Sequence, residues 1–120
     1  MTEPQADALA VATEKLNATI ARAEAAFAAR FKVAAVVELP DRTKLVFGKR
    51  DRAWRISITG RVSGKPLLLA DANRQIRAET LAHLPLLFAE LERQSTDATA
   101  EIESAVASAT AFLSSIEAAA

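Results

Sequence analysis

The chain of 120 residues has no cysteine, no tyrosine, one histidine, three glycines and no methionine beyond Met1. Without cysteine there is no disulfide framework, no thiolate metal site and no thiol nucleophile. With His83 as the lone imidazole, the usual nucleophile–base triads and the His-containing zinc motifs cannot be assembled. Three glycines leave no dinucleotide fingerprint. Ser63-Gly64-Lys65-Pro66 ends like a phosphate loop, but it lacks the upstream Gly and has Pro where the Mg²⁺-binding hydroxyl belongs. The carboxylate pairs Glu90/Glu92 and Glu101/Glu103 are two residues apart on a helix and so face different directions. His83 precedes Leu84-Pro85, where an imidazole is expected to cap backbone carbonyls rather than catalyse. The expectation is a protein that is not an enzyme, with no metal and no cofactor. No apolar run approaches the ~18 residues of a membrane span. Met1-Thr2-Glu3-Pro4-Gln5 has neither a basic nor an apolar leader. A cytoplasmic protein with no membrane partner is therefore expected.

What is present is unevenly distributed. Alanine accounts for 28 residues, yet only Ala53 falls between Glu38 and Leu69. Charge follows the same boundaries. Residues 1–40 hold 4 Lys/Arg against 5 Asp/Glu, residues 41–79 hold 10 against 4, and residues 80–120 hold 1 against 6. A chain with no net charge is thus neutral, then strongly basic, then acidic, and a cationic middle set between helices follows.

Periodicity gives one α+β domain over 1–120. Leu9, Thr13, Leu16, Ile20, Ala23, Phe27 and Phe31 recur at helical spacing, predicting a long helix over about 5–32. A sheet follows over about 33–70: Val33–Leu39, a Pro40-Asp41 turn, Thr43–Lys49, a charged connection, Ala53–Thr59, and a short Leu67–Ala70 segment. Connections this short make it a three- or four-stranded antiparallel meander. Alternation puts Trp54, Ile56 and Ile58 on one face with Leu45 and Phe47, and Lys44, Arg55, Ser57 and Thr59 on the other. Helices occupy about 73–117. A short one is capped by Asp71 or Asn73, and a long one carries the heptad-like series Leu84, Phe88, Leu91, Ser95, Ala98, Ile102, Ala105, Ala109, Phe112, Ile116.

The element lengths do not match. Helices of about 26 and 33 residues span roughly 40 and 50 Å, whereas strands of about seven span about 23 Å. The overhang is expected to pack both within the chain and across a homodimer, its helices exchanged or paired about a two-fold axis, with Leu91, Ala98, Ile102, Ala105, Ala109 and Phe112 as the oligomer interface. A monomer with its helices folded back as a hairpin is the alternative. The predicted core is Leu16, Ile20, Phe27, Phe31, Leu45, Phe47, Trp54, Ile56, Ile58, Leu67, Leu87, Phe88, Leu91, Ile102 and Phe112.

One constellation suggests a ligand. Arg42, Lys44, Lys49, Arg50, Arg52 and Arg55, with Arg61 beyond them, fall on two neighbouring strands and their ends. Phosphates would be neutralised there with release of counterions, so these six are the candidate nucleic-acid-binding residues. The competing reading pairs Arg42, Arg55 or Arg74 with Glu90, Glu92, Glu101 or Glu103 of the acidic last helix, within a chain or across a dimer, leaving the basic strands structural or protective. The order of long helix, antiparallel meander and long helix resembles the small nucleoid-associated proteins of the YbaB type. That resemblance implies a dimer that binds DNA, and no residue is carried over from it. Two functions are expected on these grounds: a low-specificity nucleic-acid-binding or architectural protein, or a protein–protein adaptor or phage or bacterial accessory factor acting through its long helices.

Overall fold

The computed structural model describes residues 3–60 and 64–119, with side chains from Ala6 onward. Arg61 therefore lies outside the described residues. The order is α1 (Glu3–Arg30), β1 (Ala35–Glu38), β2 (Lys44–Arg50), β3 (Ala53–Thr59), β4 (Pro66–Leu68), a 3₁₀ turn (Leu69–Asp71), α2 (Arg74–Leu81) and α3 (Leu84–Ala119). The α+β expectation holds, with the sheet in its four-stranded form. The strands run β1-β2-β3-β4, each antiparallel to the next. Asn73 caps α2 by accepting the Ile76 N–H at 2.9 Å. Pro85 sits in the first turn of α3, where its missing N–H costs nothing.

Strand register sorts the side chains into two faces. Ala35, Val37, Leu45, Phe47, Ile56, Ile58 and Leu67 share one. Val36, Val46, Ser57 and Leu68 form a single cross-strand row on the other. The buried cluster draws only on the first, adding Ile20 and Phe31 from the α1 side and Leu87 and Leu91 from α3. The hydrophobic core therefore lies on one face of the sheet; in the row on the other face Val36 is 53% exposed, whereas Ser57 is fully buried.

Aromatic rings join the layers. Phe27 meets Phe47 edge-on at 5.8 Å, Phe31 meets Phe88 at 5.4 Å, and Phe47 stacks on Trp54 at 5.3 Å. Five of the six aromatic residues belong to this group; the sixth is Phe112.

Several expected core residues are not in the core. Leu67 is 45% exposed, and Ile102 and Phe112 are more exposed still, at 63% and 65%. Leu69 and Leu39 are buried in their place. In the Leu67–Leu69 run the buried position is Leu69, the first residue of the 3₁₀ turn, rather than Leu67 on the edge strand β4.

A buried acid supports the sheet edge. Glu24 of α1 is buried, and its Oε2 accepts from the Ile56 N–H at 2.7 Å and from Arg55 Nε at 2.9 Å. The last pairing of β4 is Ser57 with Leu68, so the Ile56 amide lies just past the end of that strand. Glu24 thus supplies the acceptor where a strand partner is missing, and a buried N–H left unpaired there would cost about 1–3 kcal/mol.

The first two hairpin turns place arginine where glycine is unstrained. The β2–β3 loop is Asp51-Arg52 alone, with φ of 51° and 71°. That is the two-residue hairpin turn with positive φ at both centres. In the β1–β2 turn Arg42 N–H donates to the Leu39 carbonyl at 2.8 Å, and Arg42 itself has φ 69°. Left-handed geometry costs a non-glycine residue about 1–2 kcal/mol.

Two outcomes follow in urea unfolding. Glu24→Ala lowers stability by about 2 kcal/mol, and Glu24→Gln, which keeps an acceptor for Ile56, by about half that. Arg52→Gly raises it by about 0.5 kcal/mol, the relief of left-handed strain less the entropy glycine adds to the unfolded chain.

Candidate binding surfaces

The sheet divides the six candidate cations among three situations. Arg42 and Lys44 lie at the β1–β2 end. Lys49, Arg50 and Arg52 lie at the β2–β3 tip, roughly 20 Å away along β2 at the rise of an extended strand. Arg55 is drawn to the edge by Glu24 and is only part-exposed. Lys49 and Arg50 also point to opposite faces, with the Lys49 ammonium 5.6 Å from the Trp54 ring centroid. No single face holds all six.

Within the chain, the expected pairing of Arg42, Arg55 or Arg74 with the acidic last helix is not made among the described residues. Glu92 pairs with Arg30 of α1 at 3.4 Å, and Glu90 and Asp97 pair with Arg93 of α3 itself. The Arg93 guanidinium, by hydrogen bonding, holds the Glu90 carboxyl at about 2, well below its ordinary value, with Gln94 adding a second donor. Arg55 finds its acid in α1, on Glu24. Among the described residues, Arg42, Lys44, Lys49, Arg50 and Arg52 have no ion pair.

A cavity of about 440 Å³ lies at the other end of the sheet. Leu39, Ile58, Leu67 and Ile76 form its apolar wall, and Lys65, Glu79, Thr80 and His83 border it. The expectation for His83 is corrected here. Its backbone, not its imidazole, makes the turn: the N–H donates to the Thr80 carbonyl at 2.9 Å, and its carbonyl accepts from Leu86 and Leu87. No group of three or more His, Asp and Glu side chains among the described residues could hold a metal ion. No described helix is long and apolar enough to cross a membrane.

The third surface is α3. Its first turns lie on the sheet: Leu87 and Leu91 are fully buried, and Leu84 and Phe88 pack against the same cluster. Leu91 therefore belongs to the chain's own core and drops out of the expected oligomer interface. Ala98 is half-buried, and from Thr99 to Ala119 every residue is exposed. This arm is roughly 30 Å long at 1.5 Å per residue, and it accounts for much of the molecule's 83 Å long axis. Folding back against α1 as a hairpin does not occur along it.

The arm is not polar. Ile102, Val106, Phe112, Leu113 and Ile116 are each more than half exposed. They form one stripe with Ala105 and Ala109 at heptad spacing, continuing the face that buries Leu84, Phe88 and Leu91. The heptad series was legible in the sequence. What sequence reasoning missed was where the sheet stops supporting it.

Comparison with known proteins returned no matching family model, no matching curated protein and no matching solved structure, so the architectural resemblance to nucleoid-associated proteins has no counterpart there.

Proposed function

We propose that this chain is a non-enzymatic binding and assembly protein that docks an apolar helical partner along the α3 arm. The observation carrying this reading is the stripe itself: five large apolar side chains, including the one aromatic outside the core, stand in water on a helix with no support of its own. Most helical stability in proteins comes from burying an apolar face, and along this arm that face is not buried within the chain. An exposed apolar stripe bordered by polar residues marks an interaction surface. The helix-in-groove mode, read as anchors at i, i+3, i+4 and i+7, fits the arm. Its test is a photo-crosslinking phenylalanine analogue at position 112, compared with the same analogue at Glu103 on the polar side, in cells that make the chain. A discrete adduct at 112 and not at 103 is expected; no adduct at either position, or equal adducts at both, would sink the reading.

A second reading rests on the hairpin tip. Lys49, Arg50 and Arg52 gather there without an ion pair among the described residues, and Arg52 holds a left-handed conformation at an exposed position. Strain of this kind clusters at functional sites. The tip is a small polyanion contact of the nucleic-acid-backbone type. Three phosphate contacts give a log–log salt slope of about −2 to −3 for duplex DNA. Changing Arg50 and Arg52 to Ala together takes the slope toward −1 with folding intact, as read by fluorescence anisotropy. Absence of binding at low salt would make these charges protective of the hairpin alone.

A further inference from the structure

The occupant of the α3 stripe can be read from its order. In heptad register, Ala98, Ile102, Ala105, Ala109, Phe112 and Ile116 alternate between the two seam positions. Val106 and Leu113 flank the seam on one side, and Glu101, Ser108 and Ser115 flank it on the other. The seam is symmetric about Ala107. Ala98 and Ile116 stand equally far from it, as do Ile102 and Phe112, and Ala105 and Ala109.

We infer that α3 pairs antiparallel with α3 of a second copy, centred on Ala107, an inference that rests on the docking reading above. In that arrangement Ile102 packs on the partner's Phe112, Ala105 on the partner's Ala109, and Ala98 on the partner's Ile116. Large residues meet at both flanks, and small ones let the helices approach at the centre.

The flanking positions decide direction. In an antiparallel pair like flanks face each other, so Val106 meets the partner's Val106 and Glu101 meets the partner's Ser115. A parallel pair would set unlike flanks together and press the Glu101 carboxylate against the partner's Val106, desolvating a charge against an apolar side chain. The antiparallel pair also opposes the two helix dipoles. It places the two sheets at opposite ends, and the small C-terminal residues Ala118 and Ala119 reach the partner's Thr96 and Ser95, where α3 leaves the sheet.

Area and charge favour a second copy over the cationic sheet as occupant. Side chains of this size at the observed exposure offer about 600 Å² of apolar area per arm, near the ~800 Å² per partner of a stable interface. Only Glu101 borders the stripe, while Asp97, Glu103 and Glu117 lie on the side away from it, so a cationic surface docked on the stripe would meet one of these four acids.

The absence of native cysteine makes the test direct, on the full chain. Ser108→Cys, beside the seam and near the two-fold axis, is expected to oxidise to a covalent dimer at twice 12.8 kDa, about tenfold more than Ser104→Cys on the outer side. Ser115→Cys alone gives little covalent dimer, but mixed with Glu101→Cys it gives a crosslinked pair. A self-disulfide of Ile102→Cys without one at Ser108→Cys would mean a parallel pair and overturn the inference. A chain that sediments as a monomer at concentrations on the order of 100 µM would also overturn it. In that case an adduct of different mass from position 112 leaves the docking reading standing, whereas no adduct at 112 removes both.

Discussion

Four phenylalanines and one tryptophan hold this molecule together. Phe27 and Phe31 belong to α1 and its exit, Phe47 and Trp54 to the central hairpin, and Phe88 to the first turns of α3. The chain is rich in alanine and poor in large side chains, so these rings supply much of the burial that the small residues cannot. Arg30 extends the group outward, with its guanidinium 5.2 Å from the Phe88 ring centroid and paired to Glu92. Everything else is placed relative to this cluster: α1 lies over the β3 part of the sheet's inner face and α3 over its β1 and β2 part.

From that arrangement the two candidate surfaces follow. Because the cluster ends at Leu91, α3 has nothing to pack against beyond about Ala98, yet its apolar ridge does not end there. The helix keeps its apolar pattern after its own domain has stopped, and the docking reading proposed above rests on that exposed ridge. The cationic hairpin follows from the opposite situation. The β2–β3 tip makes no ion pair with the acidic helix, where Glu90, Glu92 and Asp97 are engaged by Arg30 and Arg93, so the tip charges are left exposed among the described residues. Glu24 explains why Arg55 is different, since the same carboxylate that completes the edge of β3 also holds that guanidinium.

Much of this was legible in the chain. Helical spacing from Leu9 to Phe31, alternation through Trp54, Ile56 and Ile58, and Asn73 at a cap each record a local period or a local hydrogen bond, and these survive into the fold. The heptad series of α3 was equally visible. Less visible were the pairs that depend on distance through space. Nothing local couples Glu24 to an amide 32 residues later, and a strand pattern cannot tell that β2 carries its cations to two separate ends.

By itself, then, the sequence determined the order and type of the elements, the face of each strand that turns inward, and the ridge on α3, because these rest on periodicities a few residues long. Tertiary structure alone decided which part of that ridge is core and which is surface. Leu91 and Phe112 occupy equivalent places in the same repeat, but one is fully buried and the other 65% exposed. The difference lies in the length of the sheet beneath them: a seven-residue strand ends long before a 36-residue helix does.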